Sequence, residues 1–265
     1  MKKLTLTLIS LFIMQTLFSQ EWHLVDSIQL ESKDSITDFN TDDFNNLYYI
    51  RNFSELNKVN VQTKKIKTFS NQTVLENLNT QNILQITLKS GLFNLTVLDN
   101  QLNPIQQTIE FPIETSFMPT LTALVDNNYL WGYDPVIQRL VLWNYQENSI
   151  FRQSVILNEQ SGDAFFPEMI YHQNKTYLIG YSKFLIFDEY ANLETVIPFQ
   201  EFDQIYIHKD QIYFSEKSQL FQLDLATKKI SEISISHDFD YFSINSHYLF
   251  VLKGKVVYLY HSQKI

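Results

Sequence analysis

Residues 219–230 read QLFQLDLATKKI, and residues 55–66 read ELNKVNVQTKKI. Both carry Leu at the second place, Leu or Val at the fifth, Asp or Asn at the sixth, and Thr-Lys-Lys-Ile at the end. The same frame fits residues 139–150, RLVLWNYQENSI, and residues 94–105, NLTVLDNQLNPI. Two weaker copies complete the set. KFLIFDEYANL at 183–193 is one residue short, and KVVYLYHSQKI at 255–265 has Tyr260 where Asp or Asn is expected. The copies begin at 55, 94, 139, 183, 219 and 255, a mean spacing of 40 residues. That is the period of a four-stranded propeller blade.

The apolar half of each copy is a short run rich in Leu, Val, Ile, Phe and Tyr, as a buried strand requires. The Asp or Asn at the sixth place can accept from its own downstream backbone and open a turn. Thr-Lys-Lys carries that turn on its solvent side, and the closing Ile begins the next strand. These are the third and fourth strands, c and d, of each blade. Strand b lies upstream in runs such as Leu47-Tyr48-Tyr49-Ile50, Tyr177-Leu178-Ile179 and Ile212-Tyr213-Phe214. Strand a precedes it across a polar turn. The last copy ends before a fourth strand, and an orphan strand stands near the N-terminus, Trp22 to Leu30. Laying that strand on the outer edge of the last blade closes the ring and removes a loose sheet edge. The expectation is an all-β, six-bladed propeller of four-stranded antiparallel blades.

The phrase QLFQLDLATKKI resembles the leucine- and aspartate-marked c–d repeat of the NHL, YVTN and quinoprotein-like propellers. The resemblance covers all six units but lacks the turn glycines common in those families and any cofactor-contact motif. It implies the fold; the architecture hosts many unrelated functions.

Residues 1–19 read as a signal peptide. Lys2 and Lys3 precede a mostly apolar stretch from Leu4 to Phe18, which ends on Ser19. The stretch falls short of the ~20 residues of a spanning helix. Cleavage leaves residues 20–265 as a single propeller domain, periplasmic or secreted. Without the two leader lysines the chain has 18 basic and 29 acidic residues, a net charge of −11. Such a chain repels nucleic acid and anionic lipid. There is no cysteine, hence no disulfide, thiolate metal site or cysteine nucleophile. Five scattered glycines make no dinucleotide or phosphate loop.

Ligands and partners of propellers usually meet the face formed by the d–a and b–c loops. The six histidines have no metal-ligand spacing, and each reads as a solvated or half-buried ring; His172 and His208 fall at a–b turns, and His261 in a final c–d turn. Asp38, Asp42, Asp203, Asp238 and Asp240 lie near strand-a entries, where a calcium-dependent hydrolase or lactonase would place its carboxylates. Apolar loop residues and a lengthened b–c loop mark a candidate partner surface: Phe117 and Met118, Phe165 and Phe166, and Tyr133 with Asp134 of the long loop. The competing reading turns Phe117, Met118, Phe165 and Phe166 inward to begin strand a.

The composition, rich in Asn, Lys, Ile, Phe and Tyr, with a leader ending Phe-Ser-Gln, is similar to exported proteins of the Bacteroidota. The expectation is a non-enzymatic, cofactor-free subunit that binds a protein partner in an outer-membrane or secretion complex. The plug of the type 9 translocon is one such role. A calcium-dependent hydrolase and a small-ligand or glycan binder using the central channel are the alternatives.

Overall fold

The computed structural model describes residues 21–31, 34–70, 73–75, 77–80, 85–106, 108–111, 117–157, 166–199 and 202–263, with residues 91–93 also outside this set. The expected signal peptide lies outside the described residues. Within them the regular structure is all strand.

Blade 1 comprises β2 (Ile36–Thr41), β3 (Asn46–Arg51), β4 (Glu55–Asn60) and β5 (Ile66–Ser70). Blade 2 comprises β6 (Asn77–Asn79), β7 (Gln85–Ser90), β8 (Asn94–Asp99) and β9 (Ile109–Glu110). Blade 3 runs through β10 (Leu121–Leu124), β11 (Tyr129–Asp134), β12 (Arg139–Asn144) and β13 (Ser149–Gln153). Blade 4 holds β14 (Glu168–His172), β15 (Lys175–Ile179), β16 (Lys183–Phe187) and β17 (Leu193–Pro198). Blade 5 holds β18 (Gln204–His208), β19 (Gln211–Glu216), β20 (Gln219–Asp224) and β21 (Ile230–Ile233). Blade 6 takes β22 (Tyr241–Ile244), β23 (Leu249–Lys253) and β24 (Val256–Gln263), then β1 (Glu21–Gln29) as its outer strand. The chain is a six-bladed β-propeller.

The core is divided among the joints between blades. Successive strand residues point to opposite faces, so Tyr48 and Ile50 pack toward blade 2 while Leu47 and Tyr49 pack toward blade 6. Six clusters result, one at each joint. Tyr133, Leu142, Leu178 and Phe187 meet between blades 3 and 4, and Phe242, Leu249 and Leu220 between blades 5 and 6. A strand buried on both faces needs apolar residues at consecutive positions, which explains the unbroken runs in strand b.

The sixth-place residue makes the turn as expected. Asn60 Oδ1 accepts from Thr63 N at 2.9 Å, Asp99 Oδ1 from Gln101 N at 2.7 Å, and Asp224 Oδ1 from Thr227 N at 2.7 Å. Asn144 and Asp188 do the same for Gln146 and Tyr190. Tyr260 departs from the pattern because the sixth blade has no c–d turn. β24 runs straight on, and His261, expected in a turn, lies in the strand opposite His23. The fourth strand comes from the other end of the chain, pairing Trp22 with Ser262 and Gln29 with Val256.

Few glycines are needed because other residues take the left-handed backbone. Lys64, Asn148, Ala191 and Lys228 have φ between 50° and 69° in c–d turns, and Asn45, Asn174 and Lys209 do so in a–b turns.

Candidate functional site

Strand a of each blade is innermost, so β2, β6, β10, β14, β18 and β22 wall an axial channel. At the d–a end the channel holds a cavity of about 390 Å³, and its wall includes Asp38, Asn77, Glu168, Gln204, Tyr206 and Tyr241. Asp38 belongs to blade 1 and Glu168 to blade 4, opposite members of a six-membered ring.

Asp38 is the third residue of β2, near the strand-a entry as expected. Its Oδ1 accepts from Phe39 N at 2.7 Å and its Oδ2 from Leu78 N at 2.9 Å, which fastens blade 1 to blade 2. Burial nevertheless pushes its carboxyl up to about 7, against the lowering effect of those two amides. Glu168 accepts no hydrogen bond from any described residue. Burial first, and then the charge of Asp38, push its carboxyl up to about 8. Both residues are half-buried by surface area, and their remaining exposure opens onto the cavity they line.

The phenol of Tyr206 donates to Phe39 O at 2.8 Å, and that of Tyr241 to Thr37 O at 3.2 Å. Tyr206 and Asn40 also line a much smaller cavity of about 50 Å³ toward the other end, with Asp43, His172 and His208. Burial lowers the pKa of both histidines, and the Nε2 of each is enclosed without a hydrogen-bond partner among the described residues. They sit at the a–b end, where their sequence positions put them.

Of the other aspartates, Asp203 lines the large cavity. Asp42 is occupied within its own turn, accepting from Phe44 N, Asn46 N and Tyr48 Oη. Asp240 pairs with Lys253 at 2.8 Å and caps Gly254 N. Among the described residues no group of three or more His, Asp or Glu side chains is arranged to hold a metal ion.

The residues of the candidate partner surface separate. Phe117, Tyr133 and Phe166 are buried: Phe117 packs on Trp143 with centroids 5.9 Å apart, and Tyr133 meets Phe166 edge-on at 5.0 Å. Asp134 is 1% exposed, holding Met118 N at 2.7 Å and Val136 N at 2.8 Å. Met118 is exposed, and Phe165 lies outside the described residues. Other exposed apolar side chains share this face. Val136 is 78% exposed in the b–c loop of blade 3, and Val155 and Ile156 follow in the next d–a loop. Tyr181, Phe53 and Val74 occupy further loops of the same face. The loops around blade 3 are tied together, since Leu157 N donates to Gln138 O at 2.9 Å.

Glu168, Tyr206 and Tyr241 sit on strand a and not in the loops where site residues were expected; Glu168 and Tyr241 open their strands, whereas Tyr206 lies two residues deeper in β18.

No family model matches the chain, and no curated protein matches it. Solved structures do. BamB from Moraxella catarrhalis is 8% identical with a TM-score of 0.54, over 91% of this chain and 99% of that one. Virginiamycin B lyase from Staphylococcus aureus is 10% identical with a TM-score of 0.58, over 91% and 99%. A chain of the mitotic checkpoint complex is 6% identical with a TM-score of 0.60, over 92% and 93%. At such identities the likeness is one of fold. A lyase and a member of a protein complex share it, so the architecture does not choose between catalysis and assembly.

Proposed function

We propose that the chain is an exported, non-enzymatic subunit that binds a protein partner in a bacterial envelope complex, using its d–a and b–c loop face. The observation that carries the reading is the exposed apolar set on that face, Met118, Val136, Val155, Ile156 and Tyr181 around blades 3 and 4, with Phe53 and Val74 beyond. Among the described residues, exposed loop apolars at the opposite end are fewer: Phe44, Ile105 and Tyr190. Apolar side chains gathered on one rim of a β-rich body are what a partner's surface desolvates. The buried Phe117, Tyr133 and Phe166 stiffen the loops beneath, which lowers the entropic cost of docking. A plug-like subunit of the type 9 translocon is the specific form of this reading. Membership of a protein complex by one fold relative is consistent with it.

The test is recovery of the tagged chain from detergent-solubilised native envelopes. The reading predicts a stoichiometric partner that is lost on Val136→Asp with Ile156→Asp. Recovery only as a free monomer contradicts it.

A further inference from the structure

The axial cavity has no part in a docking reading based on the outer rim, and its chemistry is distinct. Three carboxyl groups line it: Asp38 and Glu168 from opposite blades, and Asp203, whose Oδ2 already accepts from Lys217 N at 2.8 Å. The two phenols on its wall, Tyr206 and Tyr241, spend their hydrogens on backbone carbonyls, so their oxygens keep only acceptor capacity. Among the described residues of the wall the one lysine, Lys89, donates to Thr120 O at 2.7 Å on the blade 2 to blade 3 side. Glu168 has no hydrogen-bond partner among the described residues, which leaves a half-buried carboxyl facing the cavity unmet by protein donors. Among the described residues the wall therefore sets three carboxyl groups against one lysine, and it includes two tyrosine rings. Its volume of about 390 Å³ is that of a small-molecule site.

We infer that this cavity binds a small organic cation, an ammonium or guanidinium group held between Asp38 and Glu168 against the rings of Tyr206 and Tyr241. A cation gives Glu168 the donor it does not meet among the described residues, offsets the carboxyl charges, and gains from the tyrosine faces. Its binding draws the proton off Glu168, so affinity rises with pH through the range in which that carboxyl ionises. The inference stands independently of the docking face.

The same group is carried by a free amine and by the side chain of a docked protein. Calorimetric titration of the mature chain with putrescine and agmatine, and with N-acetyl-arginine amide as the side-chain mimic, tests both sources; glucose is the neutral control. At about pH 8 and physiological salt, one or more cations bind and glucose does not. Tighter binding by the diamines indicates a free ligand, and tighter binding by the blocked arginine indicates a partner's side chain. Glu168→Gln, checked for its folded circular dichroism spectrum, weakens the interaction ~10-fold or more. Should that variant not fold, Asp38→Asn, which keeps an acceptor for Leu78 N, serves in its place. Absence of binding by all three cations at millimolar concentration overturns the inference. So does binding that either carboxamide variant leaves unchanged, which marks diffuse attraction to an acidic surface.

Discussion

The hydroxyl of Tyr206 donates to the carbonyl of Phe39 at 2.8 Å, joining the innermost strand of blade 5 to that of blade 1 past the whole of blade 6. Tyr206 also lines both the larger and the smaller cavity, so its ring is a bar across the channel. The bond closes the ring on the inside, as β1 closes it on the outside.

Tyr206→Phe keeps the bar and loses one hydrogen bond, at a cost of about 1 kcal/mol. Tyr206→Ala removes the packed ring as well and costs about 3–5 kcal/mol. Urea denaturation of the two variants separates the contributions. Equal losses would mean that the ring itself supports nothing.

The carboxyl pair gives stability a defined pH dependence. Glu168 and Asp38 have folded-state values raised to about 8 and about 7, above their ordinary carboxylate range. A raised value means that the folded state holds the proton more tightly. The associated stability is fully present below the ordinary carboxylate range, is lost progressively as pH rises from there, and is gone above about 7 for Asp38 and about 8 for Glu168. Glu168→Gln is therefore more stable than the parent at alkaline pH, by about 1–3 kcal/mol after allowance for cavity water, and the gap closes as pH falls. The histidines act in the opposite sense. His172 and His208 are held neutral by burial, and below their ordinary range they destabilise parent and variant alike. Denaturation midpoints across the pH range check both signs.

Gly132 lets Phe117 lie flat on strand β11. A Cβ there stands 2.5 Å from Phe117 Cζ and 2.9 Å from Pro119 Cβ. Gly132→Ala displaces the ring, costs about 1–3 kcal/mol by overpacking, and loosens the loop that carries Met118. Thermal unfolding measures the cost, and a variant as stable as the parent contradicts the placement of Phe117.

The turn chemistry is testable at Asp188, which accepts from Tyr190 N, Asn192 N and Asn192 Nδ2 at 2.8–2.9 Å. Asp188→Ala lowers stability by about 1–2 kcal/mol. Lys228 at φ 57° gains from the reverse change. Lys228→Gly relieves left-handed strain and stabilises by a few tenths of a kcal/mol, roughly, once the added chain entropy is subtracted.

Much of the fold was legible because propeller physics writes itself locally. A strand packed on both faces demands a continuous apolar run, and a tight c–d turn without glycine demands Asp or Asn at one place. Even the exception at Tyr260 carried information, since a blade finished by β1 has no turn to make. The candidate site was less legible because depth within the ring is a tertiary property. Phe117 and Met118 are adjacent, yet one fills a blade joint and the other faces solvent. No pattern within one loop distinguishes them. Asp38 and Glu168 are 130 residues apart in the chain, and only closure of the ring sets them opposite each other.

The docking face is tested most directly by site-specific photo-crosslinking in living cells, with the crosslinker placed at Val136, Tyr181 or Tyr190 in turn. Val136 and Tyr181 on the apolar face yield a common adduct with one envelope protein, while Tyr190 at the opposite end yields none. An adduct from Tyr190 alone, or from no position, contradicts the assignment.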